Sequence, residues 1–148
     1  MHVILGANGV IGRELSMRLP AFTDRVRQVA RTPARVNDTD ELVVADLLDA
    51  AATADAVRGA EVAYLLAGLK YDVDVWADQW PRVMRNAIDA CARHGTALVF
   101  FDNVYAYGRV DGAMTEDTPT TRAAGRARSG RVSRRCSWTR SGAEPCAG

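Results

Sequence analysis

Three glycines stand at three-residue spacing near the start of the chain, in Gly6-Ala7-Asn8-Gly9-Val10-Ile11-Gly12. Their surroundings give them a chemistry. An apolar run of strand length leads into Gly6, and an amphipathic run with Ile11, Leu15 and Leu19 four apart begins at once. Strand, tight glycine turn and helix make a cradle for phosphate. Gly6 lets the chain turn without a Cβ clash, Gly9 lets backbone approach a pyrophosphate, and Gly12 lets the helix pack closely on the strand. The helix start, over Asn8, Gly9, Val10 and Ile11, offers free N–H groups and a partial positive charge. The spacing is GxxGxxG rather than GxGxxG. Glycines of an ordinary turn do not require a strand before and a helix after, so the motif predicts a bound dinucleotide.

Such a site is assembled at the carboxyl ends of parallel strands. The second strand is expected near 26–30, where Val26 to Ala30 alternates and Arg31-Thr32-Pro33 closes the run. An acid there suits the ribose 2′-hydroxyl of NAD, and an arginine suits the 2′-phosphate of NADP. The residue is Arg31, with Arg35 in reach of the same corner, so the cofactor is NAD or NADP with NADP favoured; a solvated loop arginine is the alternative. A third strand near 42–45 delivers Asp46 and Leu47 to the adenine side. Asp46 could also cap an alanine-rich helix from Leu48 to about Val57, which Gly59 ends. The fourth strand, near 61–67, is an almost continuous apolar run of the parallel-sheet type. The small Ala67 and Gly68 at its end leave room for the nicotinamide ribose. Trp76, Trp80, Val83, Met84, Ala87, Ile88 and Cys91 form a helical stripe ending at His94-Gly95. Pro81 is expected to begin that helix or kink it. The tryptophan pair reads as packing, and His94 as a partner of the helix dipole. A fifth strand near 97–102 leads to Asp102 and Asn103. The pattern predicts an α/β fold, a Rossmann-type doubly wound parallel sheet in the order 3-2-1-4-5 with helices on both faces.

At 148 residues, 48% apolar and 25% charged, the chain suits one globular core. No apolar run approaches the roughly 18 residues of a membrane span. The first residues enter a strand without a signal-peptide pattern, which predicts a cytoplasmic protein. Cys91, Cys136 and Cys146 lack metal-ligand spacing, so no metal and no structural disulfide are expected. Charge divides the chain: residues 1–120 carry a net of −5, and residues 121–148, with seven arginines and Glu144, carry +6. Residues 120–148 show no helical or strand period and read as a low-order basic tail. One lysine against eighteen arginines suggests GC-rich coding, and out-of-frame reading of such DNA yields sequence like this tail. Nucleic-acid binding through the tail is disfavoured, because Trp138 apart it lacks interleaved aromatics.

Residues 1–119 resemble the NAD-dependent epimerase/dehydratase family, the extended short-chain dehydrogenase/reductases. The likeness rests on Gly6 to Gly12, on Ala45-Asp46-Leu47, on Leu65-Leu66-Ala67-Gly68, and on Phe100 to Gly108 with the closing Tyr107-Gly108 and the following Thr115-Glu116-Asp117-Thr118-Pro119. The resemblance implies an NAD(P)-binding domain over 1–119, with Leu66 joining the cofactor residues named above. It also implies hydride transfer on a nucleotide-sugar or similar carbonyl or alcohol substrate, oriented by a smaller second domain. Members use a tyrosine made acidic by a lysine four residues later, with a serine or threonine whose place here is taken by Asn103. An amide can donate a hydrogen bond but cannot relay a proton. Tyr-x-x-x-Lys is absent: the one lysine is Lys70, preceded at that spacing by Leu66, and Tyr105 is followed at that spacing by Arg109. The chain therefore reads as a copy truncated after the fifth strand, with little or no activity. A non-enzymatic NAD(P)-binding redox sensor is the alternative. Leu98 to Phe101, left on an edge strand, predict self-association.

Overall fold

The computed structural model describes residues 1–102, 107–108 and 110–119. Short β-branched and apolar runs form the strands β1 (His2–Leu5), β2 (Val26–Ala30), β3 (Glu41–Val44), β4 (Val62–Leu65) and β5 (Ala97–Phe100). The helices are α1 (Val10–Arg18), α2 (Ala50–Val57) and α3 (Val73–His94), and a 3-10 turn covers Leu19–Ala21. The strands form one sheet in the order β3-β2-β1-β4-β5, and every neighbouring pair is parallel. His2 stands opposite Val26 on one side and Val62 on the other, and Val62 opposite Ala97. All five carboxyl ends therefore lie along one edge, as the expected strand order requires. Each strand is one or more residues shorter than its apolar run wherever that run continues into the edge.

The described residues divide into two compact units, 1–68 with 85–101 and 69–84 with the described residues from 102 onward. In the first, Val3, Ile4 and Leu5 of the central β1 are wholly buried. Ile4, Ala7, Leu19 and Val26 form a core cluster against which Leu15, Tyr64 and Leu66 pack. In the second, Trp76 and Trp80 are buried and meet edge to face at 6.2 Å, and Tyr71 meets Trp76 likewise at 5.9 Å. These tryptophans do pack, as expected.

Three local expectations are corrected. The second helix begins at Ala50, and its N-cap is Asp49, which accepts from the N–H groups of Ala51 and Ala52. Asp46 instead accepts from Leu48 N at 3.0 Å in a tight turn ahead of the helix. Of the two places expected for Pro81, the start of the helix is excluded, since α3 runs 22 residues with Pro81 inside it; the apolar stripe on both sides outweighs the one hydrogen bond that proline cannot make. In β4, burial alternates, with Ala63 and Leu65 buried and Val62 and Tyr64 half-buried, so only one face is fully covered. Asn103, Tyr105, Arg109 and residues 120–148 lie outside the described residues. Among the described residues no helix is long and apolar enough to cross a membrane.

Candidate dinucleotide site

The glycine turn lies at the carboxyl end of β1, the middle strand of the sheet. Gly6 has φ +92°, and a Cβ there would lie 2.5 Å from the Cα and 2.6 Å from the N of Ala67. Only glycine suits both the backbone and the space. A Cβ at Gly12 would lie 2.7 Å from the carbonyl oxygen of Ala7, so this glycine lets α1 sit against the strand end. Gly9 is different. Its φ of −70° and ψ of 160° suit any residue, and the nearest atom to an added Cβ would be Gly6 O at 3.8 Å. None of the described residues forbids a side chain there, so the space in front of Gly9 fits a ligand group.

Helix α1 begins directly behind that space. Gly9 is its N-cap and offers no side chain, the first turn holds no acidic residue, and Arg13 N is the first to bond within the helix, to Gly9 O at 3.0 Å. The N–H groups of Val10, Ile11 and Gly12 thus have no intrahelical acceptor, and the side chains of Val10 and Ile11 are exposed. Uncapped donors and the positive end of the helix dipole make this turn fit an anionic phosphate.

The other candidates lie along the same edge, each at the end of its strand. Ala67 packs its backbone on Gly6, joining the ends of β1 and β4, and Leu66 N donates to Leu5 O at 2.9 Å. Gly68 has open space where a Cβ would be. Beyond β3, Asp46 is exposed and Leu47 buried. Asn86 of α3 donates to Leu47 O at 2.9 Å and holds this segment in place. No local sequence signal marks Asn86 for that task, since its partner is 39 residues away.

The segment after β2 is the most tightly built. Arg35 donates through one nitrogen to both Asp38 O and Asp40 O at 2.7 Å, so its guanidinium closes the loop. Arg31 is exposed and has no hydrogen bond or ion pair among the described residues. Asn8 reaches across to this segment: its amide nitrogen donates to Thr32 O at 2.7 Å, and its oxygen accepts from Ala34 N at 3.2 Å. The far end of the loop is tied into the core by polar groups that the reading of the sequence missed. Gln28, wholly buried in β2, donates to Ser16 Oγ of α1 and to Asp40 Oδ2 at 2.9 Å. Asp40 also accepts from the N–H groups of Val36 and Asn37 and from the Asn37 side chain. Burial pushes the Asp40 carboxyl up, but the hydrogen bonds from Asn37, Val36 and Gln28 together hold it below its ordinary value. The polar Gln28 inside an apolar strand was the one available signal of this cluster.

Among the described residues no group of three or more His, Cys, Asp or Glu could hold a metal ion. Cys91 is a buried free thiol whose pKa burial raises to about 11, which removes it from nucleophilic chemistry.

A family model described as NAD(P)H-binding matches residues 6–131. The fold is shared with uronate dehydrogenase from Agrobacterium tumefaciens, at a TM-score of 0.79 and 21% identity over 90% of this chain and 53% of that one. It is shared with MoeE5 in complex with UDP-glucose and NAD, at 0.76 and 22% over 92% and 47%. A double mutant of DesIV, a dTDP-glucose 4,6-dehydratase from Streptomyces venezuelae with NAD bound, gives 0.78 and 19% over 92% and 50%. The chain thus spans about half the length of these proteins. No match was found among curated proteins. The resemblance to extended short-chain dehydrogenase/reductases holds at the level of this shared fold. The family match spans the glycine turn and all five strand ends, and the chain belongs to the NAD(P)H-binding family.

Proposed function

We propose that the chain is the dinucleotide-binding half of a reductase or epimerase of the extended short-chain type, that it binds NADP(H) in preference to NAD(H), and that alone it turns over nothing. The observation that carries the reading is the open space at Gly9, a glycine that neither backbone conformation nor packing demands. In this reading the backbone from Asn8 to Ile11 holds the pyrophosphate, Asp46 and Leu47 flank adenine, and Leu66, Ala67 and Gly68 flank the nicotinamide ribose. Arg31 meets the 2′-phosphate, being the arginine at the end of β2 not spent on the loop itself. The nicotinamide ring of such a cofactor accepts or donates hydride. In this reading residues 1–119 are the binding domain, and the protein works in the cytoplasm. In a complete enzyme of this type the substrate is a nucleotide-sugar or similar carbonyl or alcohol compound.

The loss of activity follows from the residues. Hydride transfer needs a base for the hydroxyl proton, and no tyrosine here has lysine at the fourth following position. A tyrosine without that help keeps a pKa near 10 and is a poor base at neutral pH. Asn103 in the hydroxyl position could hold a substrate oxygen but not relay its proton.

Titrating NADPH and NADH fluorescence against the 148-residue chain tests the binding. Gly9→Val is expected to abolish binding while the protein still folds, and unchanged affinity would overturn the assignment. Arg31→Ala is expected to weaken NADPH by about tenfold, the worth of one charge-assisted contact, and NADH far less. Equal weakening of both would remove the NADP preference.

A further inference from the structure

We infer that Asn8 is a positioning residue for cofactor choice: its side-chain amide grips the segment that carries Arg31 and sets that arginine relative to the glycine turn. The inference rests on the dinucleotide reading above and goes beyond it. In the sequence Asn8 lies inside the phosphate motif, yet its side chain is committed elsewhere. Its Nδ2 donates to Thr32 O at 2.7 Å and its Oδ1 accepts from Ala34 N at 3.2 Å. The two groups bracket Pro33, which has no N–H and a fixed φ, and which also confines Thr32 to extended conformations. A stiff tripeptide held at two points has little freedom left. An amide is suited to this grip because it places a donor and an acceptor side by side on one plane. Aspartate would lose the donor and set a carboxylate against the Thr32 carbonyl, and serine or threonine could not span both points.

The rest of the loop is held by other means. Arg35 binds the carbonyls of Asp38 and Asp40, and Asp40 is locked to Gln28, Val36 and Asn37. Among the described residues Arg31 is thereby left as the unpaired cation of a loop whose two ends are both fixed. Asn8 contributes the only side-chain hydrogen bonds found between the glycine turn and this loop among the described residues. One residue thus joins the place that would hold the pyrophosphate to the place that would meet the 2′-phosphate. Its role is felt in the ratio of NADPH to NADH affinity, a quantity that general loss of stability does not move.

The test titrates both cofactors against the wild-type chain, Asn8→Ala, Arg31→Ala and the double variant, with thermal melting followed for each. Pro33→Gly loosens the same segment without touching the glycine turn and serves as the independent variant. Asn8→Ala and Pro33→Gly are each expected to lower the NADPH:NADH affinity ratio by about five- to tenfold, the value of one or two hydrogen bonds. In the Arg31→Ala background Asn8→Ala is expected to change that ratio by less than about twofold, because coupled residues are not additive. A ratio unchanged in both single variants, or an equal fall with and without Arg31, would overturn the positioning role. Wild-type chain that takes up neither cofactor would overturn the dinucleotide reading itself, a result distinct from the first.

Discussion

A methyl group on Gly6 would lie 2.5 Å from the Ala67 backbone, one on Gly12 2.7 Å from Ala7 O, and one on Gly9 3.8 Å from its nearest neighbour. The three positions of one motif should therefore answer alanine differently. Gly6→Ala and Gly12→Ala should each cost about 2 kcal/mol or more of folding stability, since backbone must move and, at Gly6, φ is also strained. Gly9→Ala should stay within about 0.5 kcal/mol. Chemical denaturation of the three variants checks this, and a large loss at Gly9 would show that packing, not a ligand, explains the glycine. The buried thiol of Cys91 adds a second expectation. Raised to about 11, it should resist alkylation at neutral pH until the chain is unfolded, as peptide mapping of the labelled protein would show. At this scale the glycines were legible because strand, turn and helix are contiguous in sequence. The two tasks of Asn8 were not, because its partners at Thr32 and Ala34 are brought near only by strand pairing.

The strands were legible from apolar runs and the order from parallel connectivity, yet the connection from β2 to β3 was read only as a polar loop. It is held by Gln28, Ser16, Asn37 and Asp40, and both partners of the Gln28 amide lie twelve residues away, one on each side. No window of local periodicity contains such a cluster. Asp40 gives it a pH dependence. Because the folded carboxyl titrates below its ordinary value, its contribution is fully present above that value and is lost as pH falls through the lower, folded one. Asp40→Asn should cost about 2 kcal/mol near neutral pH, where it replaces a bonded carboxylate in the core. The gap between variant and wild type should narrow as pH falls below the ordinary carboxyl range. Unfolding free energies at several pH values test this, and a constant gap would mean that the charge contributes nothing. Pro81 lies inside α3 rather than at its start for a related reason: an apolar stripe that continues on both sides outweighs one missing hydrogen bond.

At the scale of the whole molecule, β5 stands at one end of the sheet, with Val99 and Phe101, two residues apart, 45% and 58% exposed. Exposed apolar side chains on an outer strand favour association with a second chain. The chain should self-associate in a concentration-dependent way, and Val99→Lys should reduce this in light scattering. A monodisperse wild-type monomer at all concentrations would contradict it. Catalysis also belongs to this scale. Hydride transfer calls for a base at the reacting hydroxyl, and no tyrosine among the 148 residues has lysine at the fourth following position. Purified protein should accordingly show no cofactor reduction or epimerisation above background, and turnover lost in Tyr107→Phe would refute that. A sheet whose strands all run one way also has two unlike rims. The rim opposite the glycine turn is knit by the Met1 ammonium on Glu61 at 2.9 Å and by Thr96 Oγ1 on Ala60 O at 2.7 Å, and no candidate ligand residue stands on it. Strands of four or five residues separate the two rims by roughly 13–17 Å. For immobilisation or labelling this gives the molecule a handle: a surface tether through Asp24→Cys, in the exposed turn before β2, should leave nucleotide uptake intact, whereas the same tether at Ala34 should block it.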